Sequence, residues 1–244
     1  SQSHSFNALA IKRKGSEHCI GYSCAWYKGK DDWLFLGNTY DASVAKLKLV
    51  NTPPETGIEM TRRTFSGLAS SAAKYNTKVA IIVGNDKTSI YPEFLPDSIK
   101  PSSVPYISFF LERLRGIQNL TVYDPREDLL RRKDSEGLLY WKTDTHWNDK
   151  GAFLAYSGFS NLLGLPALSV KFRQAPPHRG DLVDISKLTD FPVSEGDSWD
   201  VVWRKAPAWK EILLSGEKAT AFGKPSISLN QEALSDSYIW VVGD

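Results

Sequence analysis

The chain has 244 residues, and its content of 41% hydrophobic and 24% charged residues is typical of a globular protein. A chain of this length can bury a full core without disulfides or metals. The net charge of +2 is too small to indicate nucleic-acid binding, and no apolar run approaches the roughly 20 residues that a membrane helix needs.

The chain contains two cysteines, Cys19 and Cys24. Such a pair can form a disulfide in an oxidising compartment and stays reduced in the cytosol, so the sequence leaves its state open. The first residue is Ser1 rather than Met, and we therefore expect a leader or membrane anchor to have preceded it.

The first part of the chain alternates short apolar runs with amphipathic stretches. Residues 1–27 predict an irregular segment, and residues 33–36 predict a short strand. Residues 78–84 are apolar on both faces, which is typical of a buried parallel strand. Between these two strands, a helix after Pro54 is predicted with five apolar side chains on one face: Ile58, Phe65, Leu68, Ala69 and Ala72.

The rest of the chain continues this alternation. An amphipathic helix at 107–114, a strand at 120–123, a helix from Pro125 and a third strand at 138–141 are predicted. The next helix ends at Gly164 and presents one apolar face: Ala152, Tyr156, Phe159 and Leu163. Residues 165–236 predict a long excursion with irregular strands, before a last buried strand at 238–242. This order predicts an α/β layered fold with a mostly parallel sheet.

Asp144 and His146 directly follow the third predicted strand, where open α/β sheets place their ligands. Residues two apart in an extended segment point the same way, although a direct hydrogen bond between these side chains requires a bend. A histidine held by a carboxylate can act as general base toward a serine hydroxyl. Alternatively, Asp144 caps the following helix and His146 packs in the core, and the pair alone does not decide between the two interpretations.

A longer string around this pair carries a family resemblance. Residues 143–148 read Thr-Asp-Thr-His-Trp-Asn, which is similar to a motif of the alginate acetyltransferases of the AlgJ and AlgX type. Residues 29–36, 83–93 and 179–182 resemble other parts of that family, in the same order. The resemblance implies an SGNH-hydrolase-like domain over residues 28–244 with a three-layer α/β/α fold.

The resemblance also implies a catalytic triad in which Asp144 orients His146 and His146 activates a serine. In the family this serine ends a Gly-Asp-Ser turn after a strand, and residues 239–244 match the strand and the Gly-Asp. The nucleophile is therefore expected directly after Asp244, outside the chain. Because the family has a permuted order, further parts of the fold and the oxyanion hole are expected beyond it. We thus expect a truncated piece of a longer protein, incomplete at its C-terminus.

Ser198 is the weaker candidate nucleophile within the chain, because it too follows Gly-Asp. The residues before it do not form the buried strand that gives a nucleophile turn its geometry. An ordinary turn is the simpler interpretation.

Lys87, Tyr91 and Asn148 are candidates for contact with substrate. Lys87 and Tyr91 follow the carboxyl end of the strand at 78–84, although a polar surface loop is the simpler interpretation for both. Asn148 more simply caps the helix that follows it.

A metal site is the weaker interpretation of the polar residues near Asp144. Aspartate and histidine are metal ligands, but four histidines in the chain with no H-x-x-x-H pair argue against a zinc site built from His146 and His178 with Asp144 and Asp181. We therefore expect neither a metal nor a cofactor.

Three functions are compatible with these residues. The resemblance implies an O-acetyltransferase that acetylates hydroxyls of an exported bacterial polysaccharide through an acetyl-serine intermediate. It further implies a periplasmic location and a membrane-bound acyltransferase partner that supplies the acetyl group. The second function is a carbohydrate acetyl-esterase with the same triad, and the third is a non-catalytic carbohydrate-binding or scaffold subunit of an export complex.

Overall fold

The computed structural model describes residues 22–187 and 194–203, and the backbone of two further strands. The strands are β1 (Trp26–Lys28), β2 (Leu34–Leu36), β3 (Val79–Ile82), β4 (Leu120–Tyr123), β5 (Val170–Gln174), β6 (Trp199–Trp203), β7 (Trp209–Ile212) and β8 (Ile227–Asn230). The α-helices are α1 (Asn38–Asp41), α2 (Ser43–Leu47), α3 (Glu55–Ala73), α4 (Lys87–Ile90), α5 (Ser108–Leu114), α6 (Arg126–Glu136), α7 (Asp149–Leu162) and α8 (Asp181–Ser186). A 3-10 helix at Pro92–Phe94 follows α4.

The described strands form a mixed α/β arrangement of four two-stranded sheets. The β3 and β4 strands are parallel, with Val79 opposite Leu120 and Ile82 opposite Tyr123, whereas the other three pairs are antiparallel. Parallel strands need a crossover connection, which here contains α4 and α5. The parallel pairing predicted for residues 78–84 is confirmed.

The predicted burial of β3 is wrong in the described part of the chain. Its side chains are half-buried, and Ile82 is exposed. Among the described residues β3 pairs with β4 alone, so another strand is hydrogen-bonded to one of its two edges. The last predicted strand, residues 238–242, lies outside the described residues.

The predicted helix α3 is confirmed, with one difference on its apolar face. Ile58 and Ala69 are buried, and Phe65 and Ala72 are half-buried. Leu68 is exposed instead, because it lies beside this stripe rather than within it.

Helix α7 has the predicted bounds but packs through a different face. Gly151, Leu154 and Ala155 are buried, whereas Tyr156 is exposed. A Cβ atom at Gly151 would lie 2.2 Å from the carbonyl oxygen of Leu139, so the helix backbone packs directly on that segment. The prediction was wrong because it counted large apolar residues, and glycine contributes contact through the absence of a side chain.

The third predicted strand, residues 138–141, is not a strand of the parallel sheet. Tyr140 pairs with Trp147 in an isolated antiparallel bridge. The Leu138 carbonyl accepts side-chain hydrogen bonds from Asn148 (2.7 Å) and Trp199 (3.0 Å). Because side chains satisfy this backbone, Leu139 and Tyr140 can be fully buried without a neighbouring strand.

Two apolar clusters lie against the β1–β2 hairpin. The larger contains the fully buried Trp33, Phe35 and Tyr140, and the ring of Trp33 stacks on Phe94 with 4.6 Å between centroids. The smaller joins Trp26 and Leu34 of the hairpin to residues of α8. The hairpin therefore links the first part of the chain to α8, and the segment at 141–146 lies beside both.

Two further sequence observations concern the membrane and the cysteines. Among the described residues, no helix combines the length and the apolar character that crossing a bilayer requires. Cys24 is buried, and Cys19 lies outside the described residues.

Candidate active site

Asp144 and His146 lie on a bend that brings their side chains together. The Nδ1 atom of His146 is 2.7 Å from Oδ1 of Asp144, and the backbone N–H of His146 donates to the same oxygen at 3.0 Å. The bend spans residues 144–146, between the paired residues Tyr140 and Trp147. This is the bend that a direct hydrogen bond between the two side chains requires.

The two partners differ strongly in exposure. The side chain of His146 is 71% exposed, whereas that of Asp144 is 8% exposed. The alternative in which His146 is a packed core residue is therefore wrong. Since Nδ1 contacts the carboxylate, Nε2 is the nitrogen available to an incoming hydroxyl, and it has no hydrogen-bond partner among the described residues.

The second carboxylate oxygen of Asp144 is also fully engaged. Oδ2 accepts the backbone N–H of Asp181 at 3.0 Å and lies 3.0 Å from Nε2 of His178. The ring of His178 in turn packs against Trp141, with 4.2 Å between centroids. Burial raises the pKa of Asp144, but the hydrogen bonds from His146, His178 and Asp181 outweigh it and lower this pKa to about 2. Asp144 is thus a fixed anion.

Helix α8 begins directly against this bend, and Gly180 allows it to do so. A Cβ atom at position 180 would lie 2.1 Å from the carbonyl oxygen of Thr143, a distance that no side chain tolerates. From this position Asp181 accepts the N–H of Thr145 at 2.9 Å and its hydroxyl at 2.5 Å. The Gly-Asp-Leu stretch that resembled the family therefore holds the Asp144 bend from its outer side.

Lys87 holds the same bend from the inside. Its ammonium donates to the carbonyl oxygens of Trp141 (3.1 Å), Lys142 (3.0 Å) and Asp144 (2.6 Å). Lys87 is 4% exposed, so the surface-loop interpretation is wrong, and its assignment to substrate contact stays a prediction. Burial lowers its pKa to about 7, against the opposing effect of the carboxylates, of which Asp144 has the largest.

The other two substrate candidates are also buried in the structure. The Tyr91 hydroxyl accepts the N–H of Leu139 at 3.0 Å, and the residue is 3% exposed. Asn148 is fully buried, and its Oδ1 accepts the N–H of Gly151 at 3.0 Å, which caps α7 as predicted. Both polar groups satisfy buried backbone groups, and their assignments to substrate contact stay predictions.

Ser198 is buried and hydrogen-bonds to its neighbour. Its hydroxyl donates to Asp197 at 3.2 Å, and no hydrogen bond joins it to His146 within the described part of the chain. Asp197 is itself fully buried and accepts the N–H of Lys142 at 2.7 Å. This arrangement is that of a structural turn. Asp244, beside which the nucleophile is predicted, lies outside the described residues.

Three potential metal ligands do converge in space. One atom each of Asp144, His146 and Asp181 lies within 4.8 Å of the others. Sequence spacing did not predict this grouping, because α8 returns to the bend from 37 residues further along the chain. His146 Nδ1 and one oxygen of each carboxylate already contact protein groups, and exposed acidic groups are common without an ion.

Comparison with known proteins gives the family. A family model described as SGNH hydrolase-like domain, acetyltransferase AlgX matches residues 27–204, which is well over half of the chain. The chain belongs to this family. The match includes Asp144, His146, Lys87 and the Gly180–Asp181 contact, so the bend lies inside the AlgX-type SGNH hydrolase-like domain.

Named relatives agree with this assignment. The chain is 25% identical over 130 residues to the probable alginate O-acetylase AlgJ of Pseudomonas syringae, an alignment that covers 52% of this chain and 30% of that protein. The chain therefore spans less than a third of the length of this relative.

Solved structures show the same fold. The O-acetyltransferase domain of Pseudomonas putida AlgJ superposes with a TM-score of 0.50 at 20% identity, over 70% of this chain and 62% of that one. Bacillus cereus PatB1 with a sulfonyl adduct superposes with a TM-score of 0.53 at 18% identity, over 73% of this chain and 56% of that one. The fold is thus the SGNH-like α/β fold that the resemblance implied.

Three groups around Asp144 were missed or misassigned from the sequence. His178 and Asp181 entered the sequence analysis as metal-ligand types, and Lys87 as a candidate for substrate contact or a surface residue. The Gly-Asp pair at 180–181 was the available signal for the outer contact, because it resembled the family. No sequence pattern indicated that the Lys87 ammonium would reach three carbonyl groups.

Proposed function

We propose that this domain supplies the acid–base pair of an O-acetyltransferase acting on hydroxyls of an exported bacterial polysaccharide. The single observation that carries the proposal is the short contact between Asp144 and the exposed His146, 2.7 Å, with Nε2 facing outward. Membership of the AlgX-type acetyltransferase family supports the choice of reaction. The domain is proposed to span residues 28–244. The irregular segment predicted at 1–27 is wrong at Trp26 and Tyr27, which belong to β1.

The reaction proceeds in two balanced half-reactions. His146 Nε2 takes the proton of a serine hydroxyl as the oxygen attacks the acetyl carbonyl, and the proton then passes to the leaving group of the donor. A sugar hydroxyl next loses its proton to the same nitrogen and attacks the acetyl-serine. The serine oxygen leaves and recovers that proton. Asp144 remains ionised throughout and stabilises the imidazolium formed in each half-reaction, in keeping with its lowered pKa.

The nucleophile, acceptor and donor are further parts of this proposal. The serine is placed directly after Asp244, and Ser198 is not used because it is buried on Asp197. The acceptor is proposed to be a polysaccharide in the periplasm, and the name of the AlgJ relative gives alginate as what that protein acetylates. A membrane-bound acyltransferase partner is proposed to supply the acetyl group, and an anchor before residue 1 to keep the domain near it.

The test uses the full-length protein with an activated acetyl ester and an oligosaccharide acceptor. We expect acetyl transfer to the sugar, and a loss of about 10²–10⁴-fold in kcat for His146→Gln, the range that general acid–base catalysis contributes. Asp144→Asn should also lower kcat, because an amide cannot stabilise the imidazolium. Its matched control is Asp200→Asn, a surface carboxylate paired with Arg173 at 2.7 Å, which should leave kcat unchanged. Unaltered transfer by His146→Gln would sink the proposal.

The same assay separates the remaining functions. Release of acetate that does not fall when the oligosaccharide is added would indicate an esterase. A scaffold subunit would show neither product, and a serine-directed fluorophosphonate would leave no adduct on the full-length protein.

A further inference from the structure

The side chain of Lys87 is buried, and none of its described contacts is with the exposed side chain of His146. It is the first residue of α4, a few residues after β3, and its side chain passes the rings of Trp33 and Phe35. Its Nζ lies 5.3 Å and 5.2 Å from these two ring centroids. An aromatic wall of this kind guides the ammonium to one place and attracts its charge.

The end of that path is the backbone of the Asp144 bend. All three N–H groups of the ammonium are used, one for each of the carbonyl groups of Trp141, Lys142 and Asp144. Only the charged form of lysine has three donors, so three carbonyl acceptors around one nitrogen favour the ammonium against the effect of burial on its pKa. Carbonyl groups that converge on one point repel each other without a cation between them. The bend therefore depends on this side chain for its backbone path.

The charges around Lys87 favour the same arrangement. The carboxylates of Asp144, Asp181 and Asp197 each raise the pKa of Lys87 and so favour its charged form. Each of these residues also hydrogen-bonds to the segment at 142–146. One buried cation thus offsets a concentration of negative charge around the exposed imidazole.

We infer that Lys87 is a positioning residue, which fixes the backbone that carries Asp144 and so holds His146 in the tautomer with the proton on Nδ1 and Nε2 free. This role rests on the proposed function for its effect on the reaction, but not for its effect on the imidazole. Lys87 touches neither His146 nor any atom placed in the reaction. It acts through the position of Asp144.

A second buried lysine provides a matched control. Lys150 is 7% exposed, donates to the carbonyl oxygen of Glu136 at 2.6 Å and lies over the ring of Trp199. It is thus a buried ammonium on a carbonyl and an aromatic ring, like Lys87, but it holds the end of α6 rather than the bend. Lys150→Met should destabilise the fold without changing His146.

The experiment follows the imidazole nitrogen shifts by NMR in the full-length protein across a pH series. The wild type should show the Nδ1–H tautomer for His146, assigned with His146→Gln. In Lys87→Met we expect this signal to move toward the tautomer mixture of an unconstrained histidine, and kcat to fall at least tenfold with KM within about twofold. Lys150→Met should retain the wild-type tautomer and kcat.

If Lys87→Met does not fold, Lys87→Gln decides the question, because its amide replaces part of the donor set. An intermediate tautomer population supports the inference, and the wild-type population in either folded variant overturns it. A shifted tautomer in a protein that shows no transferase activity in any form would leave the positioning role standing and remove the proposed function instead.

Discussion

Asp144 and Asp197 are two buried carboxylates that receive similar hydrogen bonds and hold very different partners. Asp144 holds an imidazole that is 71% exposed, whereas Asp197 holds the buried hydroxyl of Ser198. In the sequence, Asp-Thr-His and Gly-Asp-Ser are both patterns of catalytic residues. In the structure, only the first presents a reactive atom to solvent, so exposure of the partner separates a candidate reactive group from a turn.

The two regions are also connected. Asp197 accepts the N–H of Lys142, whose carbonyl oxygen accepts from both Lys87 and the N–H of Leu34. The buried turn therefore supports the backbone from which the Asp144 bend departs. Three changes test this division of roles.

The largest effect on stability is expected for Asp197→Ala. The substitution leaves the N–H of Lys142 and the hydroxyls of Ser194 and Ser198 without their buried acceptor. Unsatisfied buried donors cost about 1–3 kcal/mol each, so we expect a loss of about 3 kcal/mol in the free energy of unfolding. Urea denaturation measures it, with the surface variant Asp200→Ala as control. A loss below about 1 kcal/mol would contradict the supporting role.

A smaller effect is expected from the ionisation of Asp144. Its folded pKa of about 2 lies below the usual value of 3.8, so its ionised form contributes stability above pH 4. That contribution is about 2 kcal/mol and is lost as the pH falls from 4 through 2. The difference in unfolding free energy between wild type and Asp144→Asn should therefore narrow by about 2 kcal/mol between pH 6 and pH 2. A constant difference would show that the carboxylate is not held as an anion.

The smallest effect is expected for Ser198→Ala. The hydroxyl makes one hydrogen bond of 3.2 Å to Asp197, so its removal should cost about 1 kcal/mol in stability. Acetyl transfer should be unchanged within about twofold, since a turn residue contributes nothing to the barrier. A loss of transfer comparable with that of His146→Gln, in a folded variant, would make Ser198 the nucleophile and reverse the comparison.

The sequence predicted the candidate reactive residues, Asp144 and His146, better than the residues that hold them in place. The start of α3, the bounds of α7, the parallel character of β3 and the facing of Asp144 and His146 followed from periodicity and from the resemblance. These features depend on local pattern. The strand at 138–141 was wrong because side chains from positions 148 and 199 bond its backbone, and no local pattern encodes a partner so far along the chain.

The same limit explains the substrate candidates. Lys87, Tyr91 and Asn148 are polar residues near the predicted edge of the sheet, and polar residues are usually exposed. Each is buried here because it satisfies backbone groups from another segment. Their burial could be predicted only together with the tertiary contacts that satisfy their polar groups.

The close approach of Gly180 to Thr143 fixes where the segment between α7 and α8 ends, but it does not fix how many residues that segment contains. Helix α8 meets Thr143 through bare backbone, whereas β5 and the turns between α7 and Gly180 do not contribute to that contact. Residues can therefore be gained or lost between α7 and β5, at positions 164–169, without moving the carboxylate, whereas β5 pairs with β6 and His178 contacts Asp144. Members of the family should vary in size there while the glycine stays invariant, and this stretch is the place to insert a reporter without disturbing the imidazole.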